Sequence, residues 1–234
     1  MTFFYILLST FIISLASFIG LFTLTIKPQK LQSYLLFFVA LAAGALMGTA
    51  FLHLLPESPN YLVTLFGFIL FFLIEKYLYW HHCHYLHCME HTFGHMNLAG
   101  NSLHNFIDGL IIAAAFTTNQ ALGITTAFAI ALHEIPHEIG DFGVLLYSGW
   151  SRRQALLSNF LVALFAVAGG LIGYLFSGLH DFNTYLIPFA AGGFIYIGAA
   201  DLLPEINKEK SLKKSLGFFA VFLIGVFLML IFKD

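Results

Sequence analysis

Two apolar stretches of this chain carry side chains that metal chemistry needs and helix packing does not. The first reads Asn101-Ser-Leu-His104-Asn105-Phe-Ile-Asp108-Gly109, and the second His133-Glu134-Ile-Pro136-His137-Glu138-Ile-Gly-Asp141. At 3.6 residues per turn, Asn101, His104, Asn105 and Asp108 fall within about 100° of arc, on one helix face. His133 and His137 are one turn apart, and Glu134, Glu138 and Asp141 lie within about 140° of the same side. Imidazoles and carboxylates are the ligands of zinc and related divalent ions. Two facing helices that each offer such a face would enclose an ion inside a membrane. The alternative is that these groups only bond helices together, which suits one or two polar residues rather than six or more on adjacent segments.

The elements that position them are membrane spans. Hydrophobic residues make up 59% of the 234-residue chain and charged residues 9%, against roughly 25% charged in a soluble domain. The net charge of −2 gives no reason to expect nucleic acid as a partner; the partners expected are a lipid bilayer and a divalent metal ion. Stretches of roughly 20 apolar residues cross the hydrocarbon core as helices. Eight are expected, at about 3–26, 33–55, 61–80, 97–118, 121–147, 154–178, 185–204 and 213–232. The first lacks a basic leader and a small-residue cleavage site, so it reads as a span rather than a signal peptide. Loops between spans are short, so residues 1–234 read as a single all-α membrane domain. Pro136 removes a backbone donor and should kink or loosen the fifth span beside its ligands.

Lys27, Lys30, Lys76, Arg152, Arg153, Lys208, Lys210, Lys213 and Lys214 all fall on one side of this topology, and Lys233 alone on the other. By the positive-inside bias the first side is cytoplasmic and both termini are extracytoplasmic. Short loops without targeting extensions point to a plasma (bacterial inner) membrane. The loop at about 80–96, cytoplasmic on this reading, contains His81, His82, His84, His87, His91 and His95 with Cys83 and Cys88. It reads as a metal-catching or sensing segment, or as a plain polar connector, with reduced thiols rather than a disulfide.

An internal echo is also present. Ala42-Ala43-Gly44 precedes Leu54-Leu55-Pro56-Glu57 in span two, and Ala190-Ala191-Gly192 precedes Leu202-Leu203-Pro204-Glu205 in span seven at the same spacing. Spans two and seven run in opposite directions, so spans one to three and six to eight read as an inverted repeat, a transporter architecture. Glu57, Lys76 and Asp181 read as interfacial groups; His53, Glu138, Asp141 and Asp201 as path-lining or structural.

The His104-to-Gly109 and His133-to-Asp141 motifs resemble the signature fourth and fifth helices of the ZIP (Zrt-, Irt-like) metal transporters. The second is similar to the version in the subfamily whose eukaryotic members carry HExPHE. Phe51-Leu-His53-Leu-Leu-Pro-Glu57 and Ser158-Asn159-Phe160-Leu161 also match family patterns. The resemblance implies a three-plus-two-plus-three arrangement of eight spans, alternating access, and uptake of Zn²⁺ toward the cytosol. Iron, manganese and cadmium are further cargoes it implies. Zinc would be the transported substrate, with no organic cofactor. By the same resemblance His104, Asp108, His133 and His137 form the main site. Asn105 and Glu134 belong to an adjacent second position, with Asp108 able to bridge. Some members complete that position with a carboxylate from span six; Asn159-Phe-Leu-Val162-Ala163 has none, so one well-formed site is expected. Homodimerisation stays open.

Two other classes compete. His133-Glu134-Ile-Pro136-His137 is formally the H-E-x-x-H of zinc metalloproteases, in which glutamate activates metal-bound water and Asp108 would supply a further ligand. Against it, Glu138 and Asp141 extend the polar face into a path, and the inverted repeat has no role in proteolysis. A metal-gated sensor would need a signalling domain for which the loops leave no room.

Overall fold

The computed structural model describes residues 1–23, 28–82, 90–178 and 181–232, and among them every regular element is helical. In chain order these are α1 (Thr2–Ser14), α2 (Ile19–Thr23), α3 (Pro28–Thr49), α4 (Leu55–Glu57), α5 (Tyr61–His82), α6 (Glu90–Thr118), α7 (Gln120–Tyr147), α8 (Arg152–Ala163), α9 (Phe165–Phe176), α10 (Phe182–Tyr196), α11 (Leu203–Asn207) and α12 (Leu212–Ile231). Five helical stretches among the described residues are long and apolar enough to cross a membrane: Thr2–Leu21, Leu35–Glu57, Arg152–Phe176, Phe182–Asn207 and Leu212–Ile231. α6 and α7, at 29 and 28 residues, are longer than a span requires and carry the polar faces. α6 begins at Glu90, before its expected start near 97. Of the expected histidine- and cysteine-rich loop at 80–96, residues 80–82 end α5 and 90–96 begin α6, and 83–89 lie outside the described residues.

Four departures from plain α-helix are visible among the described residues, none at Pro136, through which α7 runs without a break. A 3₁₀ turn at Leu15–Phe18 joins α1 to α2. α8 and α9 meet at Leu164, where the Ser14 hydroxyl donates to the carbonyl of Ala163 at 2.7 Å, satisfying a group this break would leave orphaned. Finally, π turns occupy Ala50–Leu54 and Ile197–Leu202, each immediately before a Leu-Pro-Glu sequence.

Packing rests on backbone contact through glycine. A Cβ built on Gly44 would lie 2.1 Å from the carbonyl oxygen of Phe222, and one on Gly225 would lie 2.4 Å from that of Leu41, so α3 and α12 touch from both sides. Gly67 and Gly192 do the same for α5 and α10, against Phe189 and Thr64, and Gly109 and Gly169 for α6 and α9, against Ala166 and Phe106. These three helix pairs make the most extensive interhelical contacts. Apolar helices in lipid gain nothing from burying apolar surface against one another, so close packing through small residues is what holds them. α6 also packs on α7, and α7 on α3, which brings the two polar faces together at the centre.

Polar ends are closed conventionally. Ser151 and Gln154 form a reciprocal capping box at the start of α8. Ser151→Ala is expected to lower stability by about 1 kcal/mol, read as a shift in thermal melting of the purified protein.

Candidate metal centre

His104 and Asp108 project from α6, and His133 and Glu134 from α7, into a single point. His104 Nε2 lies 3.1 Å from His133 Nε2, 3.1 Å from Glu134 Oε1 and 3.6 Å from Asp108 Oδ2. His133 Nε2 lies 3.4 Å from Asp108 Oδ2 and 3.5 Å from Glu134 Oε1. A tetrahedron of zinc–ligand bonds about 2.0–2.2 Å long has edges of about 3.3–3.6 Å. Five of the six edges therefore stand close to the length that a bound ion would impose. All four ligand atoms fall within 4.8 Å of one another. Asp108, His133 and Glu134 are buried and His104 is partly buried. Two buried carboxylates beside two imidazoles form a charge arrangement that a divalent cation completes.

The other expected ligands stand nearby. The His137 ring lies parallel to that of His104, with centroids 4.9 Å apart and planes inclined by 11°. Its Nδ1 is 3.4 Å from Asp141 Oδ2, so in this conformation the ring sits one turn along from the four-atom cluster. Asn105 is buried; its Nδ2 donates to the Asn101 carbonyl at 3.1 Å and to Asn101 Oδ1 at 2.7 Å, and its own Oδ1 has no hydrogen-bond partner. Glu138 points away from the cluster and accepts a hydrogen bond from Asn159 Nδ2, which also reaches the Glu138 backbone carbonyl at 3.3 Å. Reading the sequence missed this Glu138–Asn159 pair; its signal was an asparagine within an apolar helix. His53 donates from Nε2 to the carbonyl of Met229 at 2.8 Å, bridging the first π turn to α12. Glu57 and Lys76 are exposed, and Asp181 sits in the left-handed region (φ 65°) at the start of α10. Asp201 belongs by its backbone to the second π turn, and its side chain is outside the described residues.

A cavity of about 400 Å³ is bounded by His104, His133 and His137, by Asn101, and across from them by Phe71 and Glu75 of α5. A separate pocket of about 220 Å³ lies between Leu52, His53 and Glu57 and the start of α7 at Asn119 and Leu122.

The sequence profile of the family described as "ZIP Zinc transporter" matches residues 81–233. The chain belongs to the ZIP zinc transporter family. Zinc transporter ZIP13 of Pongo abelii is 32% identical over 226 residues, covering 83% of this chain and 66% of that protein. Zinc transporter zipt-7.2 of Caenorhabditis elegans is 40% identical over 141 residues, covering 58% of this chain and 30% of that protein. Human zinc transporter SLC39A7 is 40% identical over 147 residues, covering 59% and 31% respectively. The chain thus spans about two thirds of the first relative's length and under a third of the other two. ZIP members are transporters embedded in membranes, which removes the metalloprotease reading of His133-Glu134-Ile-Pro136-His137. The geometry agrees: Glu134 Oε1 stands among the ligand atoms, and His137 outside them.

Ligation needs neutral imidazole and ionised carboxylate, so protons compete with metal for every group in this ZIP centre. Zinc affinity is expected to fall steadily as pH is lowered, measured by equilibrium titration with a competing chelator.

Proposed function

We propose that this chain takes up zinc across the plasma (bacterial inner) membrane into the cytosol. The observation that carries this reading is the near-tetrahedral cluster of His104, Asp108, His133 and Glu134 beside a cavity that Glu75 also lines. Lys76 adjoins Glu75, and the lysine and arginine distribution makes that end cytoplasmic, so the cavity is an exit. Iron, manganese and cadmium are further cargoes for the same donor set, because imidazole and carboxylate accept all of them.

The residues of the site divide by role. His104, Asp108 and His133 hold the ion in transit, Glu134 completes their cluster, and His137, beside Asp141, is a secondary ligand at its edge. Asn105 and Glu134 border an adjacent second position. Span six offers it only Asn159, already bonded to Glu138, so one ion is held tightly. The surrounding frame is eight spans in a three-plus-two-plus-three arrangement with both termini outside. Two features support its inverted repeat. The π turns fall at corresponding places in the two copies, and Gly44 and Gly192, at the same place in the repeated motif, both make backbone contact with a partner helix.

The test is zinc uptake by sealed proteoliposomes holding purified protein and an internal zinc-sensitive dye. Saturable uptake by wild type, abolished in His133→Ala and Asp108→Ala, is the expected result. Tight zinc binding with no flux in the wild type would overturn the carrier reading.

A further inference from the structure

Three buried hydroxyls among the described residues have no hydrogen-bond partner, those of Thr49, Thr126 and Ser148, and the first two lie within helices. Several threonines and serines in these helices donate back to the carbonyl one turn earlier: Thr10 to Ile6, Ser102 to Leu98, Thr117 to Ala113, Thr118 to Ala114 and Thr125 to Ala121. Thr49 on α3 and Thr126 on α7 do not. Both side chains are fully buried, at 0% exposure, and among the described residues neither hydroxyl oxygen has a hydrogen-bond partner. An unsatisfied hydroxyl in a dry interior is a standing cost, so a membrane helix that keeps two calls for an explanation.

Their placement supplies one. On α3, Gly44 and Gly48 face α12, and Met47 faces Gly198 of the second π turn. Leu46 and Thr49 occupy the remaining buried face, and after α12 the helix that packs most extensively on α3 is α7. On α7, Thr126, Ile130 and His133 follow one another at helical spacing, in one stripe leading to the metal centre. At one end of the contact His53 and Leu122 line the smaller pocket; at the other Val39 and Pro136 line the large cavity. Thr49 lies between Val39 and His53 on α3, and Thr126 between Leu122 and Pro136 on α7, so both stand between the two cavities. Around that level the seam is shut, because Leu46, Ala129 and Ile130 have no exposed surface. The pair therefore stands between the pocket at His53 and Glu57 and the four-ligand cluster.

We propose that Thr49 and Thr126 are a coordination step on the outer half of the route: their hydroxyl oxygens receive a partly hydrated divalent cation between the His53–Glu57 pocket and the metal centre when α3 and α7 part. The inference rests on the carrier reading. Hydroxyls are neutral and weak ligands, which suits a step that an ion must leave as readily as it arrives. With the seam closed, the same oxygens have nothing to bind, which accounts for their unsatisfied state.

The test compares Thr49→Val, Thr126→Val and their combination, which remove the oxygen and keep the branched shape, with Thr49→Ser and Thr126→Ser, which keep the oxygen. Zinc uptake by proteoliposomes, equilibrium zinc affinity in detergent and thermal melting are read for each. The double valine variant is expected to lose at least about tenfold in maximal uptake rate, with equilibrium affinity and KM little changed, as for a group used only in passage. Its melting temperature should equal or exceed that of wild type, and the serine variants should transport normally. Wild-type rates in the double valine variant would overturn the proposal. So would serine variants as slow as the valine ones, which would show that shape matters rather than oxygen. A lower melting temperature in the valine variants would also overturn it, because the hydroxyls would then be holding the fold. Absence of uptake by wild type would refute the carrier reading and this step together, whereas wild-type uptake untouched by valine refutes this step alone.

Discussion

Alanine at Gly109 is expected to prevent the protein from reaching a stable fold. Its Cβ would lie 2.0 Å from the carbonyl oxygen of Ala166 and 2.7 Å from the backbone nitrogen of Gly170. Neither atom can move without shifting all of α9. Gly169 presents the mirror situation, 2.0 Å from the carbonyl oxygen of Phe106, so Gly169→Ala should fail for the same reason. Ordinary over-packing costs about 1–3 kcal/mol because flexible side chains give way; here backbone meets backbone, and the cost should exceed that range. Gly140, Gly143 and Gly217 are internal controls, since a Cβ there meets nothing within 4 Å. Alanine at those positions should hold or raise stability, by up to about 1 kcal/mol from helix propensity alone. Monodispersity in detergent and thermal melting of the five variants give the comparison. A well-folded Gly109→Ala protein would show that α6 and α9 are not in backbone contact.

The second large effect concerns the order of the ligands. Loss of one imidazole from the four-atom cluster leaves a divalent ion with three donors. Partners one step removed from a metal are typically worth 10–100-fold in affinity, so His133→Ala should weaken equilibrium zinc binding by more than about 100-fold. His137 stands beside Asp141 rather than in the cluster, and His137→Ala should cost less, about tenfold, by the same scale. Titration of both variants against a chelator of known affinity decides the order. Equal losses would mean that His137 swings fully into the coordination sphere when zinc arrives.

Much of this arrangement could be read from the sequence, and the reason is specific to lipid. Polar side chains in hydrocarbon need partners, so Asn101, His104, Asn105, Asp108, His133 and Glu134 announced one buried site by type and spacing alone. Within the paired Ala-Ala-Gly motifs, Gly44 and Gly192 each make a backbone contact with another helix. Other features were not legible. The choice between His137 joining the cluster and pairing with Asp141 depends on side-chain torsions that spacing does not fix. The π turns depend on hydrogen bonds that Ala50–Leu54 and Ile197–Leu202 do not advertise by composition. Pro136 looked like the place for α7 to bend, yet α7 runs through it unbroken, and the break falls at Leu164 between α8 and α9, where no proline stands. The Glu138–Asn159 bond joins residues on separate helices whose contact only the packing reveals.

The two π turns give the molecule a kind of slack that a straight helix lacks. Each holds one residue more than the α-helical ladder needs. Passing that surplus one position along breaks and remakes few hydrogen bonds, and swings the residue it passes by about 100° around the helix axis. Thr49 borders the first turn and His53 lies within it. A ripple travelling along this helix would therefore re-aim either side chain while the glycine contacts of Gly44 and Gly48 with α12 stay locked. Movement of this sort is peristaltic rather than hinged, and it needs no bend anywhere in the chain.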